Sequence, residues 1–284
     1  MNMYPDDDER ERLLDSWQDS SQGWGRQADA LRVAAMPVSI WMLDHAELRA
    51  GLDVLELAAG PGDTGFMAAQ QIAPGGTLIC SDAVAGMIEV ARERALEQSV
   101  ENIEFKQLQL EWIDLETATV DVVLIKWAVM LLLDPAAALR ECRRVVRPGG
   151  RLSLAVWDSA DANPWATIPQ TALMELGHVE PPAPGAPGMF ALAQAGRMQE
   201  LLEDAGFFDV LVEQIRFTRS YGSVTAWMGE SVDLSRSFRE AWMGLNDEER
   251  RTLRARITEL AAPYMDTQGG LVLPAVSLGA AASA

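Results

Sequence analysis

Short apolar runs and segments with helical periodicity alternate along the first half of the chain. The segments between the apolar runs carry helix end signals, and they predict helices at residues 66–72, 85–98 and 134–146. The apolar runs predict strands at residues 54–59, 77–82, 102–108, 120–126 and 151–157. Strands and helices that alternate in this way form a parallel sheet covered on both faces. We therefore predict a doubly wound α/β fold whose ligand lies at the carboxyl ends of the strands.

The pattern changes after residue 157. Residues 158–190 are rich in proline and alanine, which excludes a central strand, and residues 223–265 have helical character. A helix at 197–205 and strands at 208–221 and 271–278 complete a mostly parallel, seven-stranded sheet, with helical insertions after the fifth strand and between the last two. The predicted units are an N-terminal helical arm or lid (1–50), a ligand-binding core (51–157), a cap insertion (158–190), a core helix and strand (191–222), a helical cap insertion (223–266) and a last strand with the tail (267–284).

The N-terminal arm predicts two helices, at residues 11–18 and 27–48, joined by a loop at 20–25. Pro37 is expected to break or kink the second helix. Trp24, in the loop, is either a lid residue over the ligand or an anchor of the arm on the core. We expect the arm and both insertions to cover the crevice at the carboxyl ends of the strands.

The composition indicates a globular protein. Of the 284 residues, 49% are hydrophobic, and no apolar run reaches membrane-spanning length. The formal net charge of −19 argues against nucleic acid or an anionic membrane as a partner. Cys80 and Cys142 lack metal-type spacing, which indicates buried thiols in a reducing compartment. Because no signal peptide is visible, we expect a cytoplasmic protein.

Glycines at positions 60, 62 and 65 form a glycine turn between the first strand and the following helix. They let the backbone turn tightly beside a ligand, towards which the helix N-terminus points free N–H groups. The spacing also fits a dinucleotide-binding fingerprint. However, Glu56 precedes the turn and Asp63 lies within it, so that a pyrophosphate would face two carboxylates. The charges favour a ligand with an ammonium group and no phosphate.

Another carboxylate, Asp82, ends the second predicted strand, about twenty residues after Gly60. A carboxylate at this place can accept hydrogen bonds from both hydroxyl groups of a ribose. The same residue is also a suitable N-cap for the next helix. Both interpretations stay open.

These elements resemble the class I S-adenosylmethionine (SAM)-dependent methyltransferases, in the branch that acts on small molecules and quinones. The resemblance covers residues 51–157 and includes the turn at 109–111, the strand at 122–126 and the segment 146–152 in the expected order. It implies the Rossmann-like methyltransferase fold and SAM as cofactor. The residues expected to contact SAM are Trp24, Glu56, Ala58, Gly60, Pro61, Gly62, Asp82, Ala83, Met87, Gln109, Leu110, Glu111 and Lys126.

By this resemblance, Glu56 and residues 60–62 would hold the amino acid part of SAM, and Asp82 would hold its ribose. Lys126 would contribute mainly backbone near the sulfonium. Many relatives carry an aspartate where Gln109 stands, but the amide carbonyl can still accept a hydrogen bond from the adenine amino group.

The residues after the fourth strand exclude two classes of methyltransferase. Residues 125–128 carry neither the Asn/Asp-Pro-Pro-aromatic motif of nucleic-acid amino methyltransferases nor the acid of metal-assisted catechol-type enzymes. Without metal-ligand spacing elsewhere, we predict no metal. Catalysis would rest mainly on alignment of the acceptor and exclusion of water. Of the two histidines, His178 is the candidate general base, whereas His45 is expected to pack or to face solvent.

Large apolar side chains at strand ends and in the insertions favour an aromatic-lined pocket for a small, largely apolar methyl acceptor, methylated at O or C. Each of them alone is equally compatible with core packing. They are Trp127, Met130, Trp157, Trp165, Phe190 and Trp227. Two other functions stay open: an NAD(P)-linked oxidoreductase, although no Tyr-x-x-x-Lys motif occurs, and a non-catalytic binding protein that keeps the fold. The sequence leaves the oligomeric state unknown.

Overall fold

The computed structural model describes residues 5–181 and 187–284, except for the side chains of residues 5–9. A seven-stranded sheet runs in the order β3-β2-β1-β4-β5-β7-β6. The strands are β1 (Val54–Leu57), β2 (Leu78–Asp82), β3 (Ile103–Gln107), β4 (Val120–Lys126), β5 (Val146–Trp157), β6 (Phe208–Tyr221) and β7 (Leu271–Ser283). Strands β1 to β5 are parallel, and β7 is antiparallel to both of its neighbours. The predicted mostly parallel, seven-stranded sheet is confirmed.

Helices cover both faces of the sheet. They are α1 (Pro5–His45), α2 (Asp63–Ile72), α3 (Ala85–Glu97), α4 (Pro135–Val145), α5 (Pro164–Glu175), α6 (Ala195–Asp204), α7 (Val224–Leu234), α8 (Arg236–Gly244) and α9 (Asp247–Ala261). Alternate residues of the central strands enter two hydrophobic cores, since successive side chains of a strand point to opposite faces. Val123 and Ile125 pack with α4 and α6, whereas Val122 and Leu124 pack with α1, α2 and α3. No described helix is long and apolar enough to cross a membrane.

Helix α1 is continuous where the sequence predicts two helices and a loop, so that prediction is wrong. Residues 20–25, predicted as the loop, are instead packed between α3 and α7. Ser20 is buried, and its hydroxyl donates to the carbonyl of Ser16 at 2.9 Å. Gly23 lies against the backbone of Asp233 on α7, where a Cβ would overlap the carbonyl oxygen. The small residues that suggest a turn thus allow close helix packing.

Both helical insertions occur where the sequence predicts them, α5 after β5 and α7 to α9 between β6 and β7. They pack on each other and on the end of the sheet formed by Tyr221, Leu271 and Leu273. Residues 182–186, which form part of the predicted first insertion, lie outside the described residues. The insertions thus build a third hydrophobic cluster beside the sheet.

Strand β7 extends to Ser283, beyond the predicted end at residue 278. Its alanine-rich end pairs with β5 on one side and β6 on the other, which makes it an interior strand. Pro274 precedes Ser277, the residue at which pairing with β5 begins. The proline therefore lies where β7 is locally an edge strand, as the missing N–H requires.

Candidate active site

A cavity lies at the carboxyl ends of β1 to β4 and is covered by α1. It encloses about 1300 Å³ of space not filled by protein atoms, part of it open to solvent. The sheet side contributes Ala58, Ala59, Gly60, Pro61, Asp63, Asp82, Ala83, Val84, Met87, Gln109, Leu110, Glu111, Lys126, Trp127 and Ala128. The covering side consists of Arg10, Leu13, Leu14, Trp17, Trp24, Leu31 and Ala35 on α1, and of residues 131–133 after β4.

Most of the residues predicted to contact the cofactor line this cavity. They are Trp24, Ala58, Gly60, Pro61, Asp82, Ala83, Met87, Gln109, Leu110, Glu111 and Lys126. Glu56 and Gly62 lie behind the wall. The carboxylate that lines the cavity beside the glycine turn is Asp63.

Glu56 supports the glycine turn from inside the protein. Its side chain is 3% exposed, and Oε1 accepts the N–H of Gly65 at 3.0 Å, while Oε2 has no hydrogen-bond partner. A Cβ at position 65 would overlap this carboxyl group, so the close approach requires glycine. Burial raises the pKa of Glu56 to about 8, against the opposing effect of the Lys126 charge. Glu56 thus supports the turn from behind the cavity wall, and its contact with the amino acid part of SAM stays a prediction.

Asp63 begins α2 and pairs with Arg94 of α3, whose Nη2 lies 2.6 Å from Oδ1. Arg94 also donates to Asp29 on α1, at 3.3 Å. Burial disfavours the charged form of Glu56 and so raises its pKa, and the charge of Asp63 is balanced by Arg94. These two carboxylates therefore repel a pyrophosphate less than the sequence predicts.

Asp82 joins the end of β2 to the glycine turn. Oδ2 accepts the N–H of Gly60 at 3.0 Å, and Oδ1 accepts the N–H of Val84 at 3.1 Å. Burial raises the pKa of Asp82, and the three backbone hydrogen bonds, from Gly60, Val84 and Ala83, oppose this effect. The N-cap of α3 is Val84, so the N-cap interpretation of Asp82 is wrong. The carboxylate instead holds the turn and faces the cavity.

Lys126, for which the sequence predicts mainly a backbone contact, lines the cavity, and its side chain is held by two hydroxyl groups. Its Nζ donates to Oγ1 of Thr64 at 2.8 Å and to Oγ of Ser39 on α1 at 3.3 Å. Burial lowers its pKa, although the nearby carboxylates of Glu56 and Asp63 oppose that effect. The signal in the sequence is a lysine at the end of an otherwise apolar central strand.

The first turns of α1 close the other end of the cavity. The guanidinium of Arg10 donates two hydrogen bonds to Glu111, each 3.2 Å long. Glu111 also accepts the N–H of Asp134, just before α4, at 2.9 Å. Trp24 lines the cavity and meets Trp17 edge-on, with ring centroids 5.9 Å apart. Arg10 and Trp17 are not among the predicted site residues, although apolar positions at helical spacing continue through this segment.

Trp127 alone among the predicted substrate-binding residues lines the described cavity. The other predicted substrate-binding residues are absent from its wall, and their side chains pack against other parts of the protein. Trp157 stacks on Trp127, with centroids 4.2 Å apart, and it also contacts Trp165. Met130 and Trp157 belong to the core that contains α4 and α6, and the partly buried Trp165 and Phe190 pack against it. Trp227 is fully buried among the insertion helices, and its Nε1 donates to the Trp165 carbonyl at 3.0 Å.

His178 follows α5, where its backbone N–H donates to the carbonyl of Leu173 at 2.9 Å. It does not line the described cavity, so the predicted catalytic base is not placed at the site. The described residues of both insertions are likewise absent from the cavity wall, and α1 takes the covering role that the sequence assigns to the arm and the insertions together.

Comparisons with known proteins agree with this geometry. The profile of a family described as "Methyltransferase domain" matches residues 48–210. The ubiquinone/menaquinone biosynthesis C-methyltransferase UbiE of Hahella chejuensis is 36% identical over 111 residues, which cover 39% of this chain and 45% of that relative. The chain thus spans less than half the length of this relative.

Two solved structures share the fold. The YcgJ protein of Bacillus subtilis has a TM-score of 0.56 at 18% identity, and the match covers 86% of this chain and 97% of that one. The [4+2]-cyclase SpnF has a TM-score of 0.56 at 14% identity, with 94% of this chain and 97% of that one covered. The predicted Rossmann-like fold and the predicted cofactor, SAM, agree with the profile match. Because that match covers more than half of the chain, the protein belongs to the class I SAM-dependent methyltransferase family.

Proposed function

We propose that this protein transfers the methyl group of SAM to an O or C atom of a small, largely apolar molecule. One observation carries the proposal: a single cavity combines polar groups suited to SAM with apolar walls. The polar groups follow β1 to β4, and the apolar walls come from α1 and from residues 131–133.

The polar groups match SAM in their chemistry and in their order along the sheet. Gln109 follows β3, Asp82 ends β2, Gly60 follows β1 and Lys126 ends β4, so these groups follow the order of the sheet. Neighbouring strands lie about 4.8 Å apart, so the row extends over roughly 14 Å. An amide for the adenine edge, a carboxylate for the ribose hydroxyls and charged groups for the amino acid part therefore match an extended ligand.

SAM, when bound, supplies a methyl group on a sulfonium, which is transferred by in-line displacement. The protein binds and orients the cofactor through the turn held by Asp82 and Glu56. Helix α1 covers one side of the cavity and limits the access of water to it. Alignment of the acceptor lowers the barrier by on the order of 7 kcal/mol. The carboxylates of Asp63 and Glu111 are each paired with an arginine, which favours positional catalysis over proton transfer by these groups.

The apolar walls support a largely apolar acceptor. Leu13, Leu14 and Trp17 on α1, together with residues 131–133 and Trp127, line the cavity with apolar groups. The C-methyltransferase named among the relatives supports transfer to carbon. A small molecule is thus the proposed partner, while the net charge of −19 disfavours nucleic acid and anionic membranes.

The proposal is tested by incubating the purified chain with SAM that carries a deuterated methyl group and a panel of hydroxylated aromatic and quinol-type acceptors. Mass spectrometry would detect the label, and NMR would assign it to O or C. Transfer to an apolar acceptor is expected. SAM binding without transfer to any acceptor would favour the non-catalytic alternative, since a cyclase shares the same fold. NAD binding without SAM binding would overturn the proposal.

A further inference from the structure

The second insertion, α7 to α9, contributes no described residue to the cavity wall, but it is attached to α1, which does. Asp233 lies near the end of α7, and its carboxylate accepts two hydrogen bonds from α1. The donors are the guanidinium of Arg26 and the side-chain amide of Gln27, the latter at 2.6 Å. The Asp233 side chain is only 19% exposed, so these charge-assisted bonds are partly shielded from solvent.

The backbone of Asp233 makes a second contact with the same part of α1. Gly23 lies against its carbonyl group, where a Cβ would overlap the oxygen. Arg239 on α8 donates to that carbonyl at 3.0 Å and also to the carbonyl of Asp19 on α1, at 3.2 Å. Residues 19–27 of α1 are therefore attached to the insertion both by side chains and by close backbone packing.

The attached segment places two tryptophans on the cavity. Trp24 lies within residues 19–27 and Trp17 just before them, and both line the cavity wall. The indole N–H of Trp24 is buried and has no hydrogen-bond partner among the described residues. A buried donor without a partner costs free energy, which a ligand oxygen in the cavity would recover. Ligand binding therefore depends on where α1 holds Trp24.

We propose that Asp233 is a positioning residue for the candidate active site: by holding α1, it keeps Trp24 at the wall of the cavity in which the cofactor binds. This role rests on the proposed function only in that SAM is taken as the ligand. When α1 is held less firmly, a smaller fraction of the molecules has the complete cavity, and the apparent affinity for the ligand falls with that fraction. The insertion thus acts on the site from outside its wall.

The experiment measures the SAM affinity of the whole chain by isothermal titration. Asp233→Ala removes both side-chain hydrogen bonds and should weaken SAM binding roughly 3- to 10-fold. Asp233→Asn should restore most of the affinity, because its amide can accept from Arg26 and donate to the flipped amide of Gln27. The matched control is Glu175→Ala, which breaks a 2.6 Å contact with Arg256 between α5 and α9 and should bind SAM normally.

A double variant separates positioning from a general loss of stability. In a Trp24→Ala background, Asp233→Ala should change SAM affinity less than about twofold, because the side chain that it positions is gone. Amide hydrogen exchange without ligand gives an independent measurement. Residues 17–27 should exchange faster in Asp233→Ala than in Glu175→Ala, since only the former releases α1.

Unchanged SAM affinity in Asp233→Ala would overturn the inference. An equal loss of affinity with and without Trp24 would also overturn it, because Asp233 would then only stabilise the fold. If the unaltered protein does not bind SAM, the proposed function fails, and hydrogen exchange still decides whether Asp233 holds α1. Exchange at residues 17–27 equal to that of the control would show that it does not. If the SAM affinities change as expected but no acceptor is methylated, only the proposed transfer fails.

Discussion

The protein should lose stability as the pH rises, because Glu56 is buried. Replacing Glu56 by glutamine should abolish this pH dependence. The Glu56 carboxyl is buried, and its pKa is raised from 4.5 to about 8. Between these two values the folded state keeps a proton that the unfolded state has lost. The free energy of unfolding therefore falls with rising pH across this interval. Glutamine keeps an acceptor for the N–H of Gly65 but does not ionise.

The size of the effect follows from the pKa of Glu56. One pKa unit corresponds to about 1.4 kcal/mol. Between about pH 5 and pH 8, the folded protein should lose roughly 3 kcal/mol of stability through this group. For a protein of this size, that corresponds to a fall of roughly 5–10 °C in melting temperature.

The assay is urea and thermal unfolding of the protein and Glu56→Gln between about pH 5 and pH 8. Glu213→Gln is the control, because Glu213 is exposed on β6 and its replacement removes the same formal charge. The stability difference between Glu56→Gln and the unaltered protein should grow with pH, whereas that of the control should stay nearly constant. Parallel pH curves for Glu56→Gln and the unaltered protein would refute the raised pKa of Glu56.

Asp82→Ala should weaken SAM binding about 10- to 100-fold by titration calorimetry. The control Asp266→Ala also removes a carboxylate that accepts two backbone N–H groups, but away from the cavity, and it should bind SAM normally. Leu14→Ala and Leu132→Ala should each raise the KM for an apolar acceptor roughly tenfold, with SAM affinity changed less than about twofold. A large loss of SAM affinity in both would instead place them against the cofactor. His178→Ala should leave turnover unchanged, and a loss that higher pH partly restores would identify it as a base.

The parallel core is predictable from the sequence because its signals are local. The apolar run of β4 places Val122 and Val123 on opposite faces of the sheet, so it has to be buried on both sides. The glycine turn is equally local, and it determines where Asp82 and Gly60 meet. The cavity could be located for this reason before its covering side was known.

The N-terminal arm was predictable as a cover, but its continuous helix and the absence of the insertions from the cavity wall were not, because they depend on packing between distant segments. Ser20 and Gly23 favour a turn in isolation, and only the contacts with α3 and α7 keep them helical. A tryptophan in a core and a tryptophan in a cavity wall also have the same pattern in a sequence. Trp127 lines the cavity, whereas Trp157, stacked on it, is buried behind the wall.

Helix α1 contributes to both the proposed cofactor site and the proposed acceptor pocket. With 41 residues it is about 60 Å long, and it contacts Glu111 near its start and, through Ser39, Lys126 near its end. It thus closes the cofactor site and also supplies apolar walls for the acceptor. The family profile begins at residue 48, after this helix has ended. Relatives that share residues 48–210 but differ in α1 should therefore share the cofactor and differ in acceptor. Exchanging α1 between two such relatives should transfer acceptor preference without changing SAM affinity, and an unchanged acceptor preference would place the determinant in residues 131–133 instead.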